Sequence, residues 1–117
     1  MKLPNSENAV VPRAKVVDYL LSNTHRDGQH KAAFFKRFGF TVAEWEKLAR
    51  ALREHATEHG VTRVETSSYG QRYIIEGIIR SPDARNPLLR IVWFVESGED
   101  TPQFVTAYPQ SSQERCR

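Results

Sequence analysis

This sequence of 117 residues has a single cysteine, no long apolar run and only a small net charge. Its one cysteine, Cys116, lies next to the C-terminal residue, so no intramolecular disulfide is possible and we regard it as an incidental thiol. The apolar runs are too short for a membrane-spanning helix, and the first residues begin no secretory signal. We therefore expect a cytoplasmic protein with no membrane partner. A formal net charge of +3 permits a polyanionic partner without requiring one.

The remaining composition is that of one ordinary soluble domain. Hydrophobic residues make up 39% of the chain and charged residues 26%, which excludes a disordered or membrane protein. A chain of this length can bury one core without a metal or a disulfide. We predict a single domain over residues 1–109 and a frayed tail over residues 110–117.

The first half of the chain has helical spacing. Leu3 to Val11 is predicted to be an extended lead-in that pairs with a sheet edge or lies on the core. The helices predicted after it are Pro12–Ser22, a phenylalanine-rich helix ended by a glycine cap at Gly39, and Val42–His59. Thr41 and Glu44 form a T-x-x-E capping box at the start of the third helix.

In the second half the helical period gives way to the alternating period of strands, and Gln71–Arg80 is largely apolar on both of its faces. The predicted strands are Val61–Glu65, Gln71–Arg80, Leu88–Glu96 and Gln103–Tyr108. Helices followed by strands predict an α+β fold in which three N-terminal helices cover one face of a four-stranded antiparallel meander.

A literal match to a zinc motif lies at the end of the third helix. His55-Ala56-Thr57-Glu58-His59 fits H-x-x-E-H, in which two histidines bind zinc beside a glutamate base. Catalytic zinc needs a third protein ligand and a deep cleft, whereas we expect this turn to lie on the solvated side of its helix. We therefore assign no metal, since histidines in a last turn also interact well with the helix dipole.

The stretch from Thr24 to Gly39 joins ionisable groups to a helix start. His25 and His30 can each exchange a proton near neutral pH, and Lys31 and Arg26 add positive charge. Free N–H groups at the start of the helix point towards an anion. A metal-independent ribonuclease needs such groups: a base for the 2′-hydroxyl, an acid for the leaving 5′-oxygen and cations for the phosphate.

The last strand and two arginines complete the candidate site. We expect Thr106 and Tyr108 on one face of that strand together with Phe104, where they supply two hydroxyls and an aromatic surface for a base. Arg80 and Arg90, on neighbouring strands, are candidates to hold the same phosphate. A plain structural role stays open for each: a turn histidine is usually only solvated, and Tyr108 can cap the core.

Several segments also resemble a known family. They are the lead-in K-L-P-N-S-E-N-A-V-V, then Y-L-L-S, H-R-D-G-Q-H-K-A-A-F-F, Y-G-Q-R-Y and I-V-W-F-V-E-S-G-E-D-T-P-Q-F-V-T-A-Y-P. With them the chain resembles a bacterial family of small proteins of unknown function, which is similar to the ribonuclease toxins of the barnase, EndoU, colicin and RelE-like (BECR-like) group. The family's domain occurs alone, often beside another small gene, or at the end of large polymorphic toxins. The resemblance implies helices followed by a four-stranded antiparallel sheet, and an RNA-cutting toxin.

The resemblance also points to particular residues. The family's H-x-x-G-x-x-K pattern falls on His25, Gly28 and Lys31, and its T-x-Y pattern falls on Thr106 and Tyr108.

Two positions depart from the family pattern. Arg26 stands where a proline is common, and Ala84 stands where a glycine is common in the turn. The first difference affects the pose of the neighbouring histidine.

Two hypotheses follow. The first is a toxin that cleaves RNA without a cofactor, with His25 as acid or base, and with an antitoxin or immunity protein as its partner. In it Lys31 and Arg90 hold the phosphate, while Thr106 and Tyr108 orient the substrate. The second is a non-catalytic protein-binding or RNA-binding module of a two-gene pair, which the lack of a complete catalytic motif favours.

Overall fold

The second half of the chain forms an antiparallel sheet, as its two-residue period predicts. The computed structural model describes residues 1–21 and 29–109, apart from the side chains of Tyr19, Gln29, His30 and Lys31. Its strands are β1 (Val61–Ser67), β2 (Gly70–Ile78), β3 (Leu88–Glu96) and β4 (Gln103–Pro109). They form one sheet in the order β1-β2-β3-β4, with every neighbouring pair antiparallel. The predicted four-stranded meander is confirmed.

The prediction of three regular N-terminal helices is wrong. The helical elements are a 3₁₀ turn at Ser6–Asn8, α1 (Arg13–Lys15) followed by a π-helical turn at Val16–Leu20, α2 (Gln29–Arg37) and α3 (Trp45–Glu58). In place of the first predicted helix, the Leu21 N–H donates to the Val16 carbonyl five residues back, at 2.8 Å. Adjacent β-branched Val16 and Val17 crowd a regular α-helical turn, which is consistent with this wider one. Residue 22, where that helix was predicted to end, lies outside the described residues.

The turn between α2 and α3 is fixed by a glycine and by half of the predicted capping box. Gly39 has φ of +103°, and Phe40 N–H donates to the Phe35 carbonyl at 3.1 Å, which is the C-terminal cap predicted there. The Thr41 hydroxyl accepts from Glu44 N–H at 3.3 Å, but the Glu44 carboxylate pairs with a lysine on α3. The box therefore closes a turn ahead of α3, and the helix begins at Trp45 rather than at Val42.

The core lies between the helices and one face of the sheet. Most of its fully buried large side chains come from α2, α3, β2 and β3, and they include Phe35, Leu48, Leu52, Ile75, Ile91 and Trp93. Removing each such side chain from water stabilises the fold by roughly 1.5–3 kcal/mol.

The N-terminal lead-in ties the two edges of the sheet together. At β1, the Val61 N–H donates to the Met1 carbonyl at 2.6 Å, and at β4, Val10 forms a parallel bridge to Gln103. Between these points Leu3 and Ala9 are buried in the core. The predicted pairing of the lead-in with a sheet edge is thus confirmed. Among the described helices, none combines the length and the hydropathy needed to cross a bilayer.

Candidate functional site

The candidate residues of β3 and β4 lie on the sheet face opposite the helices. Ile91 and Trp93 face the core, so the alternating residues Arg90 and Val92 face away from it. Across the β3–β4 ladder, Arg90 is paired with Tyr108 and Val92 with Thr106. We call this side of the sheet the open face.

Within the open face the two predicted hydroxyl residues differ in access. The Tyr108 side chain is 44% exposed, whereas Thr106 is 6% exposed and packs beside buried Val92. Tyr108 can therefore touch a bound ligand. Thr106 is buried and can support Tyr108 from the adjacent residue pair, Val92 and Thr106.

Phe104 is not on the open face, contrary to our expectation. The register shifts between Val92 and Trp93, so that Thr106 pairs with the first and Phe104 with the second. The extra residue, Val105, forms a β-bulge that reverses the alternation of β4. Phe104 therefore packs edge-to-face on Trp93 in the core, with ring centroids 5.8 Å apart, and offers no stacking surface beside Thr106.

A carboxylate that the sequence analysis did not select completes the row of Arg90 and Tyr108. Glu76 of β2 is the cross-strand partner of Arg90, and the guanidinium lies 2.8 Å from the Glu76 carboxylate. The sequence signal that pointed to Glu76 was its position as a lone charge at the centre of an apolar strand, in register with an arginine. The row Glu76–Arg90–Tyr108 thus places an acid, a cation and a phenol side by side across three strands.

Arg80 does not join Arg90. It lies beyond the end of β2, and its guanidinium pairs with the Glu58 carboxylate near the end of α3 at 2.9 Å. Arg80 is thus paired with a helix residue, whereas Arg90 is paired with Glu76 across the sheet. A phosphate shared by the two arginines stays a prediction.

Part of the predicted site lies outside the described residues. His25, Arg26 and Gly28 fall in residues 22–28, and of His30 and Lys31 only the backbone, in the first turn of α2, is described. The helix α2 packs against β4, the strand that carries Tyr108.

The opposite end of α2 is held by the turn between β2 and β3. The Arg85 guanidinium donates to the Arg37 carbonyl at 2.7 Å and lies 4.5 Å from the centroid of the Phe38 ring. Asp83 forms an ion pair with the same guanidinium. The Ser81 hydroxyl, with the Arg85 N–H and guanidinium, lowers the pKa of Asp83 to about 2. This turn therefore fixes the position of α2.

Ala84 in this turn has a conformation that suits glycine. Its φ is +66°, in the left-handed region, where the Cβ of an L-residue meets the backbone. Ala84 therefore introduces backbone strain into the segment that anchors α2.

The two histidines of the zinc-like motif bind backbone carbonyls instead. Nε2 of His55 lies 3.0 Å from the Gly77 carbonyl oxygen, and Nε2 of His59 lies 2.9 Å from that of Ile78. His55 is only 1% exposed, so our expectation of a solvated position was wrong for it. The reason is that Gly77 lacks a side chain and lets the imidazoles reach the strand: a Cβ there would lie 2.6 Å from the His59 ring.

No three His, Cys, Asp or Glu side chains within residues 1–21 and 29–109 are grouped to hold a metal ion. The two histidines of the H-x-x-E-H segment instead join α3 to β2 through hydrogen bonds to the strand backbone.

Comparison with known proteins gives a similar fold and a family. One chain of a contact-dependent growth inhibition toxin–immunity protein complex from Klebsiella pneumoniae 342 is similar, with a TM-score of 0.68 and 22% identity. The match covers 87% of this chain and 100% of that chain, and at this identity it shows the fold alone. No curated protein sequence matches. The sequence matches the domain of unknown function DUF6883 over residues 2–111, and the chain belongs to that family.

Proposed function

We propose that this protein is a toxin domain that cleaves RNA without a metal ion. The observation that carries the proposal is the row across the open face, in which exposed Tyr108 lies beside Arg90 on a rigid sheet. A guanidinium and a phenol at this spacing suit a phosphodiester, because both donate hydrogen bonds to anionic oxygens. A similar fold in a toxin–immunity protein complex supports the same assignment.

In the proposed reaction the RNA supplies its own nucleophile. The 2′-oxygen bonds to phosphorus while the bond from phosphorus to the 5′-oxygen breaks, which leaves a cyclic phosphate and a free 5′-hydroxyl. A base takes the 2′-hydroxyl proton and an acid protonates the 5′-oxygen; His25 takes one of these roles. Arg90 and Lys31 stabilise the charge that develops on the phosphate, with Arg26 and His30 binding the substrate nearby. Tyr108 orients the phosphate, and Thr106 holds Tyr108 in place.

The decisive test is RNA cleavage in excess chelator. Purified protein should cut total RNA and leave cyclic phosphate ends, and His25→Ala and Lys31→Ala should each lower the rate at least about 100-fold, as loss of an acid–base or phosphate-binding group does. Arg63→Ala is the matched control, since Arg63 is an exposed cation on β1 paired with Glu65. A wild-type protein that leaves RNA intact, or equal rates in all variants, would sink the proposal.

A second function has one observation in its favour. The similar solved chain belongs to a complex of a toxin and an immunity protein, and a non-catalytic member of such a pair could share the fold. Expression in bacterial cells separates the two. A toxin acting in the cytoplasm should arrest growth, with relief by its immunity protein and with loss of arrest in His25→Ala. A harmless chain that only co-purifies with a partner would support the second function.

A further inference from the structure

A cationic cleft lies on the side of the molecule away from the open face. It has a volume of about 320 Å³ and runs between α3 and the segment that follows β2. Phe40 and Ala51 form its apolar floor. The cations that line it are Lys47, Arg50 and Arg80. We call this the α3 cleft.

The charges of the α3 cleft are available to a ligand. Among the described residues that line it, Glu54 is the acidic one. Lys47 pairs with Glu44 at 3.3 Å and Arg80 pairs with Glu58 at 2.9 Å, and exposed pairs of this kind are worth only about 0–1 kcal/mol.

Arg50 is exposed and differs from the other two cations in its contacts. Its side chain makes no hydrogen bond or ion pair with any residue in the described part of the chain. It lies three residues after Lys47 on α3, so both side chains project from the same side of the helix. The described lining therefore carries three cations and the carboxylate of Glu54. Two of the cations are held by exposed ion pairs that a phosphate can displace.

The cleft begins at the same end of the sheet as the candidate site. Arg80 follows Glu76 by four residues along extended chain, which corresponds to about 13 Å at roughly 3.3 Å per residue. Glu76 is paired with Arg90, so the cleft and the row on the open face flank one end of β2 from opposite sides. A single flexible strand of nucleic acid can pass around that end and touch both.

We propose that the α3 cleft binds the phosphate backbone of the RNA strand next to the cleavage position. Guanidinium groups of Arg50 and Arg80 hold one phosphate by paired hydrogen bonds, and the apolar floor accepts the adjoining ribose. A volume at the small end of ligand pockets matches one nucleotide unit rather than a whole helix. This inference rests on the proposed function, because it takes RNA to be the ligand.

The test measures binding separately from cleavage. The probe is a fluorescent single-stranded DNA of about a dozen nucleotides, which spans a site of ordinary length and lacks the 2′-hydroxyl that cleavage needs. The double variant Arg50→Ala/Arg80→Ala should bind about tenfold more weakly at low salt. The slope of log affinity against log salt should fall by about 0.7 for each phosphate that the variant no longer neutralises. Arg63→Ala is the matched control and should change the slope less.

Each outcome separates this inference from the ribonuclease proposal. If wild type binds the probe with a slope that falls in the double variant but cuts no RNA, the cleft is a nucleic-acid backbone site and the ribonuclease proposal fails. If RNA is cut while the double variant binds with an unchanged slope, the cleft proposal fails alone. If the double variant loses affinity for an immunity protein and keeps it for the probe, the cleft belongs to a protein interface and the inference is overturned.

Discussion

Acidification should destabilise the fold through a single buried histidine. Nε2–H of His55 donates to the Gly77 carbonyl, which leaves the buried Nδ1 without a hydrogen-bond partner among the described residues. Burial lowers the pKa of His55 from 6.5 to about 4, and the neighbouring His59 ring adds to the effect. The backbone of Gly77 and Leu89 favours the charged form and offsets part of it. The neutral imidazole is therefore the form that the fold holds.

The direction and the size of the stability change with pH follow from proton linkage. The pKa of His55 is lower in the folded state than in the unfolded one, so the unfolded chain binds the proton first as the pH falls. The stability due to neutral His55 is complete above pH of about 6.5 and is lost as the pH falls towards 4. Since one pKa unit corresponds to about 1.4 kcal/mol, the full loss is about 3 kcal/mol, of which about 2 kcal/mol is reached by pH 5.

Urea unfolding followed by tryptophan fluorescence measures this loss. Between pH of about 8 and about 5, the wild-type midpoint should fall by about 1 M for an ordinary urea dependence of about 2 kcal/mol per molar. Asp83 does not interfere, because its pKa is lowered to about 2 and the stability it contributes is lost only at more acidic pH.

Two substitutions make the test specific. His55→Gln keeps an N–H for the Gly77 carbonyl and has no titrating group, so this variant should be less stable at neutral pH but lose less on acidification. His59→Gln is the matched control and should keep most of the wild-type pH dependence, because burial is the larger cause of the lowered pKa of His55. If wild type and His55→Gln lose stability in parallel, His55 is not the group responsible and the reasoning is refuted.

Three further substitutions test the packing around the site. Ala84→Gly should relieve the strain at positive φ and raise the thermal midpoint by about 3 °C, corresponding to a gain of about 0.5–1 kcal/mol; a lower midpoint would contradict this. Gly77→Ala should lower the free energy of unfolding by about 1 kcal/mol, because the new Cβ meets the His59 ring. In a His59→Ala background the same substitution should cost nothing, which chemical denaturation of the double variant measures. Arg85→Ala should cost about 1 kcal/mol of unfolding free energy and, by loosening α2, should slow RNA cleavage more than Arg63→Ala does.

The regular parts of this fold were predictable because each depends on a repeated signal. The strands β2 and β3 follow from alternation over nine residues each, and the cap at Gly39 follows from the one residue type that adopts positive φ at low cost. The helical segment before α2 was not predictable in the same way. Its apolar spacing suits an α-helix and a π-helical turn almost equally, and adjacent Val16 and Val17 are a weak signal by comparison.

The candidate site was predictable only in part, for two physical reasons. Simple alternation along β4 places Phe104, Thr106 and Tyr108 on one face of the sheet. The bulge at Val105 puts Phe104 on the core face and Thr106 on the open face instead. The burial of His55 depends on a glycine 22 residues further along the chain, and no local pattern reports such a contact. The neighbours Arg90 and Tyr108, in contrast, follow from the order of the last two strands.

The pairing of Arg90 with Glu76 bears on how a phosphate would be bound. Both side chains are partly exposed, at 48% and 30%, so their ion pair is weak and a phosphate can compete for the guanidinium. A guanidinium has five N–H donors, so Arg90 can keep one hydrogen bond to the carboxylate while it turns a second edge to the phosphate beside Tyr108. Glu76 then limits the rotamers of Arg90 rather than neutralising it. Glu76→Gln keeps an acceptor but removes the charge, so it should strengthen binding of an uncleavable oligonucleotide. Glu76→Ala removes both the charge and the hydrogen bond that orients Arg90, so it should weaken the salt-independent part of that binding.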